Sequence, residues 1–189
     1  ADKQVLRVRF YDDPSGFDAA TLFRIETENI AFNIYSGLTS YDGKTSKIIP
    51  DLADKWEVAP DGKALTFNLH KGVQFQKGFG EVTAEDVKFS IERYMKDPKS
   101  TFGNRFSDIA SIETPDKNTV SFKLKAPSRY LVSSLASETA LITPPELEKE
   151  YKTKAVGPGP YIHEQYLQGE GSTFKKNPDY IDAKNIWFN

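Results

Sequence analysis

Residues 55–69, with the sequence KWEVAPDGKALTFNL, predict a β-hairpin. In the second half of this stretch, Leu65, Phe67 and Leu69 alternate with polar residues, a pattern typical of a strand with one buried face. The Pro-Asp-Gly sequence at residues 60–62 fits a tight turn, because proline presets its own φ and glycine accepts a positive φ. The stretch therefore predicts two antiparallel strands joined by a short turn.

A second hairpin is predicted further along the chain. Residues 109–114 and 119–125 have strand character on either side of the turn sequence Pro-Asp-Lys-Asn. Val120, Phe122 and Leu124 share one face of the second strand. Three more short strands are predicted from alternation or apolar character, at residues 5–10, 174–180 and 186–188.

The clearest helix is predicted to begin at Thr83. The sequence Thr-Ala-Glu-Asp combines a capping residue with two acids that favour the positive end of a helix. Val87, Ile91 and Tyr94 form the apolar stripe of this helix, and the Asp97-Pro sequence ends it.

Weaker signals predict three more helical segments. One covers about residues 26–35, with Gly37 as a left-handed residue at its end. A short helix is capped by Ser128, and another begins with Thr143 as the cap, followed by Pro-Pro-Glu. Short helices mixed with antiparallel hairpins, without regular βαβ alternation, predict an α+β (mixed α/β) fold.

Composition excludes several classes of function. The 189 residues carry 25 basic and 27 acidic side chains, so the chain has no overall attraction for nucleic acid or anionic lipid. There is no cysteine, which excludes disulfides, thiolate nucleophiles and thiolate-bound metals. No apolar run approaches the ~20 residues needed to span a bilayer.

Few residues suggest catalysis. The two histidines, His70 and His163, could meet and bind a metal together with a carboxylate, but two unrelated surface imidazoles is the preferred interpretation. Serines are plentiful, yet no Gly-x-Ser-x-Gly sequence is present, which disfavours a serine hydrolase. The paired acids at residues 12–13 and 85–86 fit turn and helix-start roles. We therefore predict a binding module without catalytic residues, metal or cofactor.

Six stretches resemble, in the same order, motifs of one family: the extracellular solute-binding proteins, family 5, of peptide, opine and nickel ABC importers. The motifs are NIYSGLTSYD at 33–42, IPDLADKWEV at 49–58, PDG at 60–62 with LTFNLHKGVQF at 65–75, TAEDVKFS at 83–90, AVGPGPY at 155–161 and NPDY at 177–180. The chain departs from the family pattern at Ala19, where proline is usual, and at Pro158, where threonine is usual. Together the six motifs cover nearly the whole chain.

The resemblance implies the N-terminal lobe of a two-lobed, periplasmic-binding-protein-like type II fold. Family members are much longer, and the stretch after Asn189 is expected to lead toward the second lobe. Residues 1–43 and 157–189 would form the hinge-side subdomain of lobe I, and residues 44–156 an inserted, hairpin-rich subdomain. Because a solute is held between two lobes, the resemblance implies weak binding by one lobe alone.

The resemblance also implies the ligand contacts. In the family, the loop after "L-D-P" and an aromatic residue beyond the T-A-E-D helix touch the solute. Carried over, these positions are Phe23, Arg24, Ile25 and Phe102. Core roles for Ile25 and Phe102, and a solvated role for Arg24, remain open alternatives.

The function implied by the resemblance is non-catalytic capture of a small solute and its delivery to the transmembrane subunits of an ABC permease. The solute could be an oligopeptide, an opine or a metal chelate, and the protein would be periplasmic or extracellular, reaching the membrane through the transporter. The alternative is an interaction module that binds a partner or itself through the surface that would face the second lobe.

Overall fold

The computed structural model describes residues 5–22, 24–128, 130–136, 140–186 and 188. Three α-helices and eight strands form within these residues. The helices are α1 (Ile25–Ile34), α2 (Ala84–Lys96) and α3 (Leu131–Ser134). The strands are β1 (Thr39–Tyr41), β2 (Ile48–Pro50), β3 (Ala53–Val58), β4 (Ala64–Leu69), β5 (Ile109–Asp116), β6 (Thr119–Leu124), β7 (Tyr161–Leu167) and β8 (Gly171–Lys176).

The main sheet has four antiparallel strands in the order β3-β4-β6-β5. Its first hairpin confirms the prediction: Trp56 lies opposite Phe67, and Gly62 adopts a φ of 68° in the turn. Along β4 every second residue is buried, as the alternation predicts. The second predicted hairpin, β5–β6, supplies the other half of the sheet.

Helix α2 covers the apolar face of this sheet. Val87, Ile91 and Tyr94 are all buried in the same core as the sheet, which confirms the predicted stripe. The helix begins at the predicted cap, where the amide and hydroxyl of Thr83 both donate to Asp86 Oδ2 at 2.7 Å. The mixed α+β fold with antiparallel hairpins is therefore confirmed.

Two smaller hairpins flank the main sheet, β1–β2 and β7–β8. Neither was predicted as a hairpin, although β8 overlaps the strand predicted at residues 174–180. Strand β7 follows directly from the 155–161 connector, where the abundance of Gly and Pro obscures the onset of a strand.

Two predicted strands are not formed. Residues 5–10 are exposed and outside any strand, because no described strand lies beside them to complete a ladder. In the stretch at 186–188, Ile186 and Phe188 are not in a strand, and residue 187 lies outside the described residues.

Two predicted cap positions, Gly37 and Ser128, are wrong, although α1 itself forms within one residue of the predicted range 26–35. Helix α1 ends in extended backbone at Tyr35, and Gly37 does not have a positive φ. Gly37 instead lies in a tight space, since a Cβ there would lie 3.3 Å from the carbonyl oxygen of Leu135. Ser128 does not cap α3, whose N-cap is Tyr130.

The helix predicted to start at Thr143 is only a 3₁₀ turn, Pro145–Leu147, with Pro144 as its N-cap. Thr143 is not the cap because its backbone binds helix α2: its amide donates to Ser90 Oγ at 3.1 Å. Contact with α2 thus overrides the local capping signal.

Candidate solute-binding site

The first group of predicted ligand contacts lies at the start of helix α1. Arg24 is its N-cap and Ile25 its first residue, with 68% of Ile25 exposed. Phe23 lies outside the described residues. The Arg24 guanidinium forms an exposed ion pair with Asp12, so its charge is balanced within the chain. The core alternative for Ile25 is therefore wrong, and this side chain is open to a ligand.

Phe102, the second predicted contact, is half-buried in the loop after α2. It packs against the main core and immediately precedes a 3₁₀ turn, Gly103–Phe106. A Cβ at Gly103 would lie 2.5 Å from the carbonyl oxygen of Tyr94, so only glycine lets this turn approach α2 so closely. Phe102 is thus anchored on one side and partly open on the other.

A backbone hydrogen bond joins the two groups. The amide of Thr101 donates to the carbonyl oxygen of Ala20 at 3.2 Å, although the two residues are far apart in sequence. This bond holds the segment before α1 against the segment after α2. We call the two segments, residues 18–22 with 24–25 and residues 101–106, the candidate rim.

A partly buried ion pair fixes the first half of the rim. The Arg93 guanidinium of α2 donates two hydrogen bonds to the carboxylate of Asp18, at 2.7 and 2.6 Å. Asp18 also accepts the amide of Ala20 at 3.1 Å and thereby caps the 3₁₀ turn Ala19–Thr21. Sequence reasoning missed this pair, because nothing in the local pattern links residues 75 positions apart.

Burial and the ion pair with Asp18 shift the pKa of Arg93 in opposite directions. Burial alone would lower the pKa of the guanidinium, but the hydrogen bonds and charge of Asp18 raise it above its ordinary value. The ring of Tyr151 lies 4.8 Å from the guanidinium carbon and adds a cation–π contact. The guanidinium therefore stays charged, and its two hydrogen bonds to Asp18 hold the rim against α2.

The 155–161 connector packs against the other end of α1. A Cβ at Gly157 would lie 2.4 Å from the carbonyl oxygen of Ile34, so the two backbones are in direct contact. Gln76 Nε2 donates to the carbonyl oxygens of Gly159 and Tyr161, at 3.0 and 2.9 Å. The glycines of the connector therefore serve close packing against α1.

His163 is buried behind the rim, so its interpretation as a surface imidazole is wrong. Its ring lies between those of Phe17 and Phe174, with centroid distances of 4.6 and 5.2 Å, and its Nε2 is 3.2 Å from Ser172 Oγ. Burial, together with the nearby charge of Lys77, lowers the pKa of the imidazole to about 4. A neutral ring packed between two tilted aromatic rings supports the loop that carries Asp18.

The described residues contain neither a candidate metal site nor a candidate membrane-spanning helix. Among them, no three His, Asp or Glu side chains are grouped so that they could hold a metal ion. No helix within these ranges combines the length and apolar character that crossing a bilayer requires. The arrangement that remains is a rim with an exposed Ile25, a half-exposed Phe102 and nearby guanidinium groups.

Residues 47–188 match the sequence model of the bacterial extracellular solute-binding proteins, family 5 Middle. The chain belongs to this family. Family 5 proteins bind solutes outside the cytoplasm and are not a family of enzymes. The resemblance seen in the six sequence motifs is therefore confirmed.

Among curated family 5 relatives, di/tripeptide-binding protein 1 of Pseudomonas aeruginosa is 31% identical over 195 residues. The match covers 88% of this chain but only 36% of that protein. The chain thus spans about a third of the length of this relative.

Solved structures show the same fold. AgaA from A. tumefaciens R10, in complex with agropinic acid, superposes with a TM-score of 0.82 at 37% identity, over 90% of this chain and 35% of AgaA. DppA from Helicobacter pylori, in complex with the peptide STSA, gives 0.80 at 31% identity, over 90% of this chain and 38% of DppA. The fold is that of one part of a type II periplasmic binding protein.

Proposed function

We propose that this chain is the N-terminal lobe of the substrate-binding component of an ABC importer for peptides or related small solutes such as opines. The lobe captures the solute without chemistry and passes it to the transmembrane permease subunits. The related binding proteins for di/tripeptides, for the peptide STSA and for agropinic acid support this solute class.

The observation that carries the proposal is the joined rim. Two segments predicted to contact the solute lie side by side, linked by the Thr101–Ala20 hydrogen bond and fixed by the Asp18–Arg93 pair. Ile25 and Phe102 supply apolar contact area, while Phe23 and Arg24 stay candidates from the resemblance. A preorganised rim binds with less loss of conformational freedom than a flexible loop.

We further propose the division of the lobe and its location in the cell. Residues 1–43 and 157–189 would form the hinge-side subdomain, and residues 44–156 the inserted one. The tight packing of Gly157 on Ile34 supports the grouping of residues 1–43 and 157–189 in one subdomain. A periplasmic or extracellular location follows the family description.

Paired substitutions test the proposed site. Phe102→Leu should weaken binding of Ser-Thr-Ser-Ala or agropinic acid by at least about threefold, because leucine removes the aromatic face. Phe32→Leu, at an exposed position on α1 outside the rim, is the matched control and should bind as the wild type does. Equal weakening in both variants, measured by calorimetry or NMR titration, would argue against the rim.

A second candidate function is an interaction module. Ile25 and Phe32 lie seven positions apart on α1, hence on one face, and both are exposed. Such an apolar face could bind another protein or a second copy of the chain. Sedimentation velocity distinguishes the two functions: a dimer that forms with rising concentration and dissociates in Phe32→Glu would favour the module.

A further inference from the structure

Arg105 is the cationic side chain next to Phe102. Its guanidinium carbon lies 5.3 Å from the centre of the Phe102 ring, and the residue is exposed. A planar guanidinium over an aromatic ring is oriented by the ring and keeps its N–H donors free at the edges. Arg105 therefore lies on the rim, with its guanidinium against the Phe102 ring.

Among the described residues, Arg105 has no ion-pair partner. Within the part of the chain that the structure describes, no carboxylate comes within 4.0 Å of its guanidinium, even though Asp108 is close in sequence. The other two arginines near the rim differ in this respect. Arg24 is paired with Asp12, and Arg93 with Asp18.

We propose that Arg105 binds a carboxylate group of the solute and selects for acidic solutes. This inference rests on the proposed function, because it assigns the polar contact that accompanies Phe102 in the same site. Guanidinium groups bind carboxylates through two parallel N–H···O bonds, which adds specificity for a planar anion. The geometry points to Arg105 rather than Arg24, the cation predicted from the sequence.

The test compares one peptide in two forms. Ser-Thr-Ser-Ala and its C-terminal amide differ only in the carboxylate, and both are titrated into the ¹⁵N-labelled chain. In the wild type we expect the acid to bind at least about tenfold more tightly than the amide, and the Arg105 Nε signal to shift on binding.

Three variants sharpen the test. Arg105→Gln should remove the preference for the acid, and Arg105→Lys should restore part of it, because lysine keeps the charge without the planar fork. Lys99→Gln removes one exposed positive charge from the same loop and should leave the preference unchanged. Unchanged amide positions for Phe102 and Gly103 verify that each variant keeps the fold of the rim.

The outcomes separate this inference from the proposed function. If the wild type binds both forms equally, or if Arg105→Gln keeps the preference, the assignment of Arg105 is wrong while solute capture stands. If neither Ser-Thr-Ser-Ala nor agropinic acid produces saturable shifts at the rim, both proposals are wrong. A preference lost equally in Arg105→Gln and Lys99→Gln would indicate general surface charge and also overturn the assignment.

Discussion

The four-stranded sheet and the candidate rim are held together by different interactions. In the sheet, Phe67 and Phe122 are fully buried and their rings meet edge-on at a centroid distance of 5.9 Å. In the rim, placement depends on the Asp18–Arg93 pair and on one backbone hydrogen bond. Apolar burial is non-directional and stabilises, whereas ion pairs and hydrogen bonds are directional and fix position. Stability and placement of the site should therefore respond to different substitutions.

The largest effect is expected in the sheet. Phe67→Ala should lower the free energy of unfolding by about 3–5 kcal/mol, because it leaves a cavity in the core where the Phe67 ring meets the rings of Trp56 and Phe122. Urea denaturation measures this loss. Val58→Ala, at the 54% exposed end of β3, is the control and should change stability by less than about 0.5 kcal/mol. Similar losses in both variants would contradict the assignment of the core.

Breaking the Asp18–Arg93 ion pair should lower stability and also displace the rim. Asp18→Ala should cost about 3 kcal/mol, at the lower end for a broken buried pair, since Asp97 still lies 3.5 Å from Arg93. It should also shift the amide signals of Ala20 and Thr101. Asp12→Ala removes an exposed pair and should cost less than about 1 kcal/mol. If Asp18→Ala leaves both amide signals in place, the pair does not position the rim.

Acid should weaken the aromatic support behind the rim through His163. Its pKa is about 4 in the folded chain, below the ordinary value of 6.5, so the unfolded chain binds more protons between these values. The stability contributed by the neutral ring is complete above pH 6.5 and falls by about 2 kcal/mol on going to about pH 4.5. His163→Gln should remove this part of the pH dependence in denaturation measured across the range.

Asp51 also titrates in this pH range, so the pH dependence of the wild type has to be compared with that of His163→Gln. Burial raises the pKa of its carboxyl to about 6, although hydrogen bonds from Gly37 and Ser36 oppose the shift. The folded chain therefore binds the Asp51 proton more tightly than the unfolded chain, and this contribution strengthens as pH falls from 6 towards 4. Only the difference between wild type and variant isolates His163, and a difference that does not vary with pH would contradict its burial as a neutral ring.

The smallest effect is expected at the start of α2. Thr83→Ala should lower stability by about 1 kcal/mol through loss of the cap, with the rim amides unchanged. Ser111→Ala, at an exposed position on β5, serves as the control. A cap variant that moves the Ala20 or Thr101 signals would show that sheet and rim are less separable than the structure indicates.

Local pattern predicted the sheet well and the rim poorly. In the two hairpins and α2, apolar residues recur at regular spacing and specific turn or cap residues mark the ends. The sequence alone therefore predicts these elements. The Asp18–Arg93 pair and the packing of Gly157 on Ile34 join distant segments, and no local period reports such contacts. Tertiary contacts also explain the misplaced cap at Thr143.

The site residues were accessible only through family resemblance. Nothing in the spacing of Arg24, Ile25 and Phe102 indicates that Thr101 and Ala20 join their segments. Arg105 could have been noted from the sequence as an arginine three residues beyond the predicted aromatic contact. Its lack of an acidic neighbour, however, is visible only in three dimensions.

The most direct test of the central claim is a ¹H–¹⁵N correlation spectrum of the wild-type chain titrated with Ser-Thr-Ser-Ala and then with agropinic acid. The account predicts saturable shifts confined to residues 18–25 and 101–106, with the amides of β4 and β6 unchanged. Shifts centred on the four-stranded sheet, or no saturable shift with either solute, would contradict the claim that the rim is the solute-binding surface.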